Sequence, residues 1–175
     1  MKKLLLALPF TLALSGCGSN VDLVKDGIMD FNQTTTLGQA LDNWKSCKET
    51  DWESFETDNG ASVVQFTCKH KVKNFMEKTK GYLSTEEQAK ADYLDIVANV
   101  QTFQFTLNQD DTFQIDNVQV ETTWADGTKF NDSQKPVEQL ETAYQNELNF
   151  NPAQLNKVAA GQLSYTFQVI KSRAK

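Results

Sequence analysis

The chain has 175 residues, of which 39% are hydrophobic, and its 23 acidic side chains outnumber its 17 basic ones, giving a net charge of −6. This length is sufficient for one domain with its own hydrophobic core. The acidic balance argues against nucleic acid as a partner and against polybasic attachment to anionic lipid.

The N-terminus has the pattern of an export signal. A lysine pair, an apolar run and two small residues precede a cysteine: Lys2-Lys3, Leu4 to Leu14, Ser15-Gly16 and Cys17. The run is too short to span a bilayer. Leu14-Ser15-Gly16-Cys17 resembles the lipobox of bacterial lipoproteins. The resemblance implies that residues 1–16 are a cleaved signal peptide and that Cys17 receives acyl chains, palmitate among them, which anchor the chain in the membrane.

The residues after the lipobox bear on the membrane to which the protein is sorted and on how the domain is tethered to it. Gly18 stands where an Asp would retain an enteric-type lipoprotein at the inner membrane. The resemblance therefore implies the outer membrane, with the chain facing the periplasm. Residues 17–34 mix small and polar residues with scattered aliphatics, which is typical of a tether. We expect one folded domain over residues 35–175.

Two cysteines remain for structural roles. Cys47 and Cys68 are expected to form a disulfide in an oxidising compartment, and the alternative is a pair of buried free thiols. Together with His70, the only histidine, they provide too few soft ligands for a closed zinc shell. We therefore expect no metal site and no cofactor.

A helix and a hairpin are predicted next. Thr36 and Gln39 form a capping box for a helix that ends near Ser46. Asp58-Asn59-Gly60 predicts a hairpin with a type I′ turn.

In that register Phe55 lies opposite Val64 and Asp51 lies opposite Cys68. Phe66 shares the face of Val64 and Cys68, and Trp52 points to the other face, where a second layer or a partner could cover it.

The segment from Lys69 to Lys80 is rich in lysine. It is either a patch for an anionic surface, such as lipid headgroups or lipopolysaccharide, or a solvated strand end and loop. Because lysines flank His70 and no sequence neighbour would orient it as a base, we expect a surface histidine.

The rest of the chain predicts alternating helices and strands. In chain order these are a helix from Ser84 to Val97, a hairpin with strands around Phe103–Leu107 and Phe113–Trp124 and a bulge at Asp116-Asn117, a turn at Asp126-Gly127, a helix over Pro136–Leu148, a short helix from Asn151 to Gly161, and a last strand over Leu163–Val169. About five mostly antiparallel strands, with three or four helices on one face, give an α+β two-layer sandwich.

The sequence contains no established catalytic motif, so we expect no enzyme. Two functions remain. The first is a non-catalytic interaction or accessory module that docks on another envelope protein, with Trp52 and Trp124 as candidate contacts. The second is a binding protein for a small amphiphile or lipid, with a pocket lined by Phe103, Phe105, Tyr165 and Phe167.

Overall fold

The computed structural model describes residues 19–174, so the predicted signal peptide and Cys17 lie outside the described residues. The helices are α1 (Asn20–Asp26), α2 (Leu37–Asp42), α3 (Lys73–Lys80), α4 (Thr85–Gln88), α5 (Pro136–Tyr144) and α6 (Lys157–Arg173). The strands are β1 (Ile28–Met29), β2 (Asn32–Thr36), β3 (Cys47–Glu56), β4 (Ser62–His70), β5 (Ile96–Leu107), β6 (Phe113–Trp124) and β7 (Lys129–Gln134). Short 3₁₀ turns occupy Asp92–Leu94 and Pro152–Gln154.

A five-stranded antiparallel sheet forms the centre of the fold. Its strand order is β3-β4-β5-β6-β7, and β1 and β2 form a separate two-stranded pair. The predicted α+β sandwich is confirmed. Strand β7 was not predicted from the sequence, because its residues 129–134 are almost entirely polar.

The core lies between one face of this sheet and the helices. Alternate residues of the central strands, among them Phe66, Phe103 and Phe105, pack with α1, α2 and α5 in a first cluster. Trp124 and Ile96, where β6 and β5 pair, pack with α3 and α6 in a second cluster. Strand side chains alternate between faces, and the opposite face is mostly polar, with Gln65, Gln104 and Asn117 joined by hydrogen bonds across neighbouring strands.

The residues expected to form a tether are largely folded. Residues 20–26 form α1, which begins with a capping box between Ser19 and Asp22. Val24 is fully buried in the first cluster, and Leu37 N–H donates to the Gly27 carbonyl, which links α1 to α2. The tether prediction is therefore wrong for residues 20–34, because a few aliphatic side chains are enough to dock a short helix on the sheet.

The first predicted hairpin is present, but its register differs by one residue. Phe55 pairs with Val63, and Asp51 pairs with Thr67. Thr57 N–H bonds to the Ala61 carbonyl, so the loop has three residues and places Gly60 at φ 81°. This is a loop that ends in a left-handed residue, rather than the two-residue type I′ turn.

The corrected register moves Trp52 to the inner face. It pairs directly with Phe66, and their ring centroids lie 4.9 Å apart. A one-residue slip reverses every side chain of a strand, which explains the wrong placement.

The capping and bulge predictions agree with the structure better than the predicted hairpin register does. The capping boxes at Thr36 and Ser84 are present, as is the bulge on β6, where Asp116 is skipped in the pairing with β5. The helices end earlier than predicted: α2 stops at Asp42, α4 at Gln88 and α5 at Tyr144.

The C-terminus is helical where a strand was predicted. Helix α6 begins after its N-cap Asn156 and continues through Gly161 to Arg173. Leu163, Phe167 and Ile170 pack against the second cluster, with the i, i+4, i+7 spacing of one helix face. The predicted strand over 163–169 is therefore wrong. Apolar residues at these positions fit both the alternation of a strand and the spacing of a helix, and the alternation alone does not distinguish the two.

Two glycines provide a matched test of backbone conformation. At Gly161 a Cβ would meet no atom within 4 Å, so we expect Gly161→Ala to raise the free energy of unfolding by about 0.5–1 kcal/mol. Gly127 also has open space but lies at φ 86°, so Gly127→Ala should lower that free energy by about 1 kcal/mol. Urea unfolding measures both, and a stabilising Gly127→Ala would contradict the turn geometry.

Candidate functional site

A groove lies where the α2–β3 connection, the end of β4 and the segment after α5 meet. We call it the basic groove; its volume is about 710 Å³, within the range of small-ligand sites. Its lining residues are Lys45, Ser46, Lys48, His70, Lys71, Val72, Lys73, Asn74, Val97, Leu148, Phe150 and Pro152.

The charge of the basic groove is opposite to that of the whole chain. Four of its lining residues are lysines, and none of the described residues that line it is acidic. Lys48 and Lys73 form long, exposed ion pairs, with nitrogen–oxygen separations of 3.5 Å to Glu49 and 3.9 Å to Glu77, and such pairs contribute little. Glu49 has a shorter contact, 2.8 Å, with Lys69 outside the groove. The lysine ammonium groups are thus available to an anion.

The groove also has an apolar part. Val97 is 60% exposed and Leu148 is 36% exposed, although both are large aliphatic residues. Phe150 lies beside them, held by edge-on contact with Phe75 at 5.5 Å between ring centroids. Exposed aliphatic side chains beside ammonium groups favour a ligand with both an anionic and an apolar part.

Hydrogen bonds between distant parts of the chain hold the walls. Trp44 Nε1 donates to the Glu147 carbonyl at 2.7 Å, and Lys45 N–H donates to Asn146 Oδ1 at 2.8 Å. Asn146 adopts φ 55°, a left-handed conformation that asparagine tolerates. Across the groove, Lys71 Nζ donates to the Lys45 carbonyl at 2.8 Å.

His70 lies on the floor and is only 4% exposed, so the expectation of a surface histidine is wrong. As the last residue of β4 it follows the inward phase of Phe66 and Cys68, and this phase outweighs its lysine neighbours. The ring packs edge-on against Trp44, with centroids 5.2 Å apart.

Polar side chains satisfy both ring nitrogens of His70. Ser46 Oγ lies 2.8 Å from Nδ1, and Gln101 Oε1 lies 2.9 Å from Nε2. Since the Gln101 oxygen can only accept, Nε2 carries the proton, and the Ser46 hydroxyl donates to Nδ1. Asn149 N–H in turn donates to Ser46 Oγ at 3.1 Å, and Gln101 Nε2 donates to Gln139 Oε1 at 2.9 Å.

This network places a hydroxyl beside an oriented imidazole, the order found in nucleophile–base pairs. Its third member is the neutral amide of Gln101, which would not stabilise an imidazolium as a carboxylate does. Ser46 is also only 3% exposed. These contacts are those of a buried polar network whose hydrogen bonds are satisfied. That the protein is not an enzyme stays a prediction.

Burial lowers the pKa of His70 below its ordinary value of 6.5, although the hydrogen bond with Gln101 opposes this shift. The unfolded chain then takes up a proton as the pH falls through about 6.5, whereas folded His70 takes one up only at a lower pH. We expect the free energy of unfolding to be constant with respect to this group above about pH 7.5 and to decrease as the pH falls below 6.5. Urea unfolding between pH 5 and pH 8 measures the slope.

The His70→Gln variant is the control for that slope. Because the chain has one histidine, the variant should lose the histidine contribution and show a shallower slope between pH 5 and pH 7, whatever its absolute stability. An equal slope in both proteins would contradict the assignment of the effect to His70.

The predicted disulfide between Cys47 and Cys68 is present, with a Cα–Cα distance of 5.4 Å. It joins the first residue of β3 to β4, and Cys68 Sγ lies 3.5 Å from His70 Nδ1. The ligand atoms of the two cysteines and His70 lie within 4.8 Å of one another. Metal binding by cysteine requires thiolates, and the disulfide leaves none at this position.

A second groove lies on the other side of the segment after α5, next to α6. We call it the amide groove; its volume is about 500 Å³. Its lining residues are Phe75, Asn149, Asn151, Gln154, Leu155, Ala159, Gln162, Leu163 and Thr166. None of these is charged, and four carry a side-chain amide.

The residues predicted to form functional surfaces lie elsewhere. Trp124 is 1% exposed and donates from Nε1 to the Tyr93 carbonyl, so it belongs to the core. Trp52 is half-buried, bonds to Asp42 Oδ1 at 2.7 Å and lies under Lys25. Neither forms an open aromatic patch.

The predicted aromatic pocket does not form. Phe103 and Phe105 are fully buried in the first cluster, whereas Phe167 packs against the second. Tyr165 is 70% exposed on α6. The pocket required a C-terminal strand beside β5, and the helix at that position separates these four side chains.

Only part of the basic groove is predictable from the sequence. Lys71 and Lys73 of the predicted basic stretch line it, but Lys80 instead pairs with Asp95. Lys45, Leu148 and similar contributors were missed because nothing in the local sequence links residues about a hundred positions apart. The lysine-rich stretch was the only available signal in the sequence.

None of the helices among residues 19–174 is long and apolar enough to cross a membrane. No model of a known protein family matches the chain, and neither a characterised protein nor a solved structure shows significant similarity to it.

Proposed function

We propose that this protein is a lipoprotein of the bacterial cell envelope whose domain binds a small anionic amphiphile in the basic groove. The observation that carries the proposal is the juxtaposition of Lys45, Lys71 and Lys73 with exposed Val97 and Leu148 in one groove. The chain as a whole is acidic, so this local excess of positive charge is not a general property of its surface.

Charge supports an anionic head group. The acidic surface elsewhere repels anions, and the lysines create a local positive potential that draws them to the groove. Lys45 and Lys71 form no ion pair with any other residue in the described part of the chain. An anion bound there would therefore not have to displace an acidic side chain from either lysine, and Lys71 Nζ, which donates to the Lys45 carbonyl, has further N–H groups to donate.

The apolar surface of the basic groove supports a ligand whose anionic head group carries an alkyl or acyl chain. Each methylene group transferred from water to apolar surroundings contributes about 0.8 kcal/mol. Val97, Leu148 and Phe150 provide such surroundings next to the lysines. A short acyl chain lying on these side chains would remove apolar surface of both ligand and protein from water.

Membrane anchoring through Cys17 is the second part of the proposal. The first helix that the structure describes begins at Asn20, and three residues span at most about 10 Å. An acylated Cys17 would hold the domain next to the headgroups of the outer membrane, on its periplasmic side, where amphiphiles are concentrated. Intact mass of the membrane-extracted protein tests acylation, with Cys17→Ala as the control.

Binding of dodecyl phosphate below its critical micelle concentration tests the groove. We expect the double variant Lys71→Gln/Lys73→Gln to bind about tenfold more weakly, because two charges near the anion are lost. The matched control is Lys90→Gln/Lys129→Gln, which removes the same charge from exposed sites outside the groove. Equal losses in both double variants would show nonspecific attraction and overturn the proposal.

The interaction module remains the alternative prediction. Its candidate contacts Trp52 and Trp124 do not present an exposed patch, so the amphiphile proposal rests on stronger geometry. Crosslinking in the membrane, followed by recovery of one stoichiometric envelope protein, would favour the module instead.

A further inference from the structure

The two grooves share one wall. Successive residues of the segment after α5 alternate between them: Leu148, Phe150 and Pro152 line the basic groove, whereas Asn149 and Asn151 line the amide groove. The wall is continued inward by the contact between Phe150 and Phe75, which lines the amide groove. A ligand that fills one groove therefore lies next to the other.

The amide groove differs chemically from its neighbour. Its polar lining consists of Asn149, Asn151, Gln154, Gln162 and Thr166, without a charged residue among the described residues that line it. Side-chain amides both donate and accept hydrogen bonds, and so do the hydroxyl groups of a sugar. A fixed charge, by contrast, would favour an ion.

Two of these amides are available to a ligand. Asn149 Nδ2 lies near His70 and Gln101, and Asn151 Oδ1 accepts from Ala153 N–H, so both already have partners. The side chains of Gln154 and Gln162 form no hydrogen bond with any other residue between 19 and 174. Both line the groove, Gln154 from the 3₁₀ turn before α6 and Gln162 from α6 itself.

We infer that the amide groove binds the sugar of an anionic glycolipid whose charged and apolar parts occupy the basic groove. This inference rests on the proposed function and names the ligand class more narrowly. The sugar hydroxyls bond with the side-chain amides of Gln154 and Gln162. The grooves have volumes of about 500 and 710 Å³, each within the range of small-ligand sites.

Matched probes separate the two grooves. Dodecyl phosphate carries an anion and an alkyl chain, and an N-dodecanoyl glucosamine 1-phosphate adds a sugar to the same elements. Titration calorimetry with the full-length protein, below the critical micelle concentration of each probe, gives both dissociation constants. We expect the glycolipid to bind at least about tenfold more tightly, since several neutral hydrogen bonds are added.

Variants locate the added affinity. Gln154→Leu/Gln162→Leu keeps side-chain size but removes both amides, and it should remove the tenfold preference while leaving dodecyl phosphate binding unchanged. Gln33→Leu on β2, outside both grooves, is the control and should leave both affinities unchanged.

The binding results distinguish failure of the sugar inference from failure of the proposed function. Equal affinity of the two probes, or a preference that survives loss of Gln154 and Gln162, overturns the inference and leaves the amphiphile proposal intact. Failure of both probes to bind overturns the proposed function and the inference with it.

Discussion

A Trp124→Ala variant is expected to lose about 3–5 kcal/mol of unfolding free energy, the cost of removing a large buried aromatic side chain. Trp124 is 1% exposed and packs among Leu94, Ile96 and Leu155 in the second cluster. Removing the indole also leaves the Tyr93 carbonyl without the 2.8 Å hydrogen bond from Nε1. Chemical unfolding monitored by circular dichroism measures the loss.

Two further variants make this prediction decisive. Trp124→Phe keeps most of the volume and should cost less, which gives a measurable value if the alanine variant does not fold. Trp52→Ala should also cost less than Trp124→Ala, because Trp52 is only partly buried at the margin of the first cluster. Wild-type stability of Trp124→Ala would contradict the core assignment and restore Trp124 as a surface contact.

The double variant Cys47→Ala/Cys68→Ala is expected to lose about 3 kcal/mol, because the bridge closes a loop over a sequence separation of 21 and restricts the unfolded chain. Urea unfolding of the variant and of the oxidised wild type gives the difference. A dithiol reductant should lower the stability of the wild type under conditions that permit reduction and leave the variant unchanged.

The same variant should weaken dodecyl phosphate binding at a temperature where it remains folded. Ser46, which lines the basic groove, directly precedes Cys47, and Cys68 Sγ lies 3.5 Å from His70 Nδ1. The bridge therefore fixes the strand ends that carry the groove floor. Unchanged affinity together with the expected loss of stability would show that the floor is held by the surrounding hydrogen bonds alone.

Local chemistry accounts for the predictions that agree with the structure. Thr36 with Gln39, and Ser84 with Glu87, satisfy the free N–H groups of a helix start within four residues. Gly127 adopts the left-handed conformation that its turn requires. Such features depend on neighbours in sequence, so the sequence contains all the information needed to predict them.

The errors in the fold arise where the local sequence pattern fits two different structures. Asn59-Gly60 fits a two-residue turn, but the observed three-residue loop pairs Phe55 with Val63, and this register brings Trp52 onto the core face. Residues 163–169 fit either a strand or a helix. Packing of Leu163 and Phe167 against the second cluster favours the helix.

The sequence by itself predicted the α+β class, the capping boxes at Thr36 and Ser84, the two central hairpins without the register of the first, and a disulfide between Cys47 and Cys68. Short-range periodicity and cysteine count carry that information. The tertiary structure alone decided the burial of His70 and the composition of both grooves. Ser46 and Asn149 are separated by 103 positions and meet in one hydrogen bond. Contacts over such separations depend on how the whole sheet and its helices pack, and no local pattern encodes them.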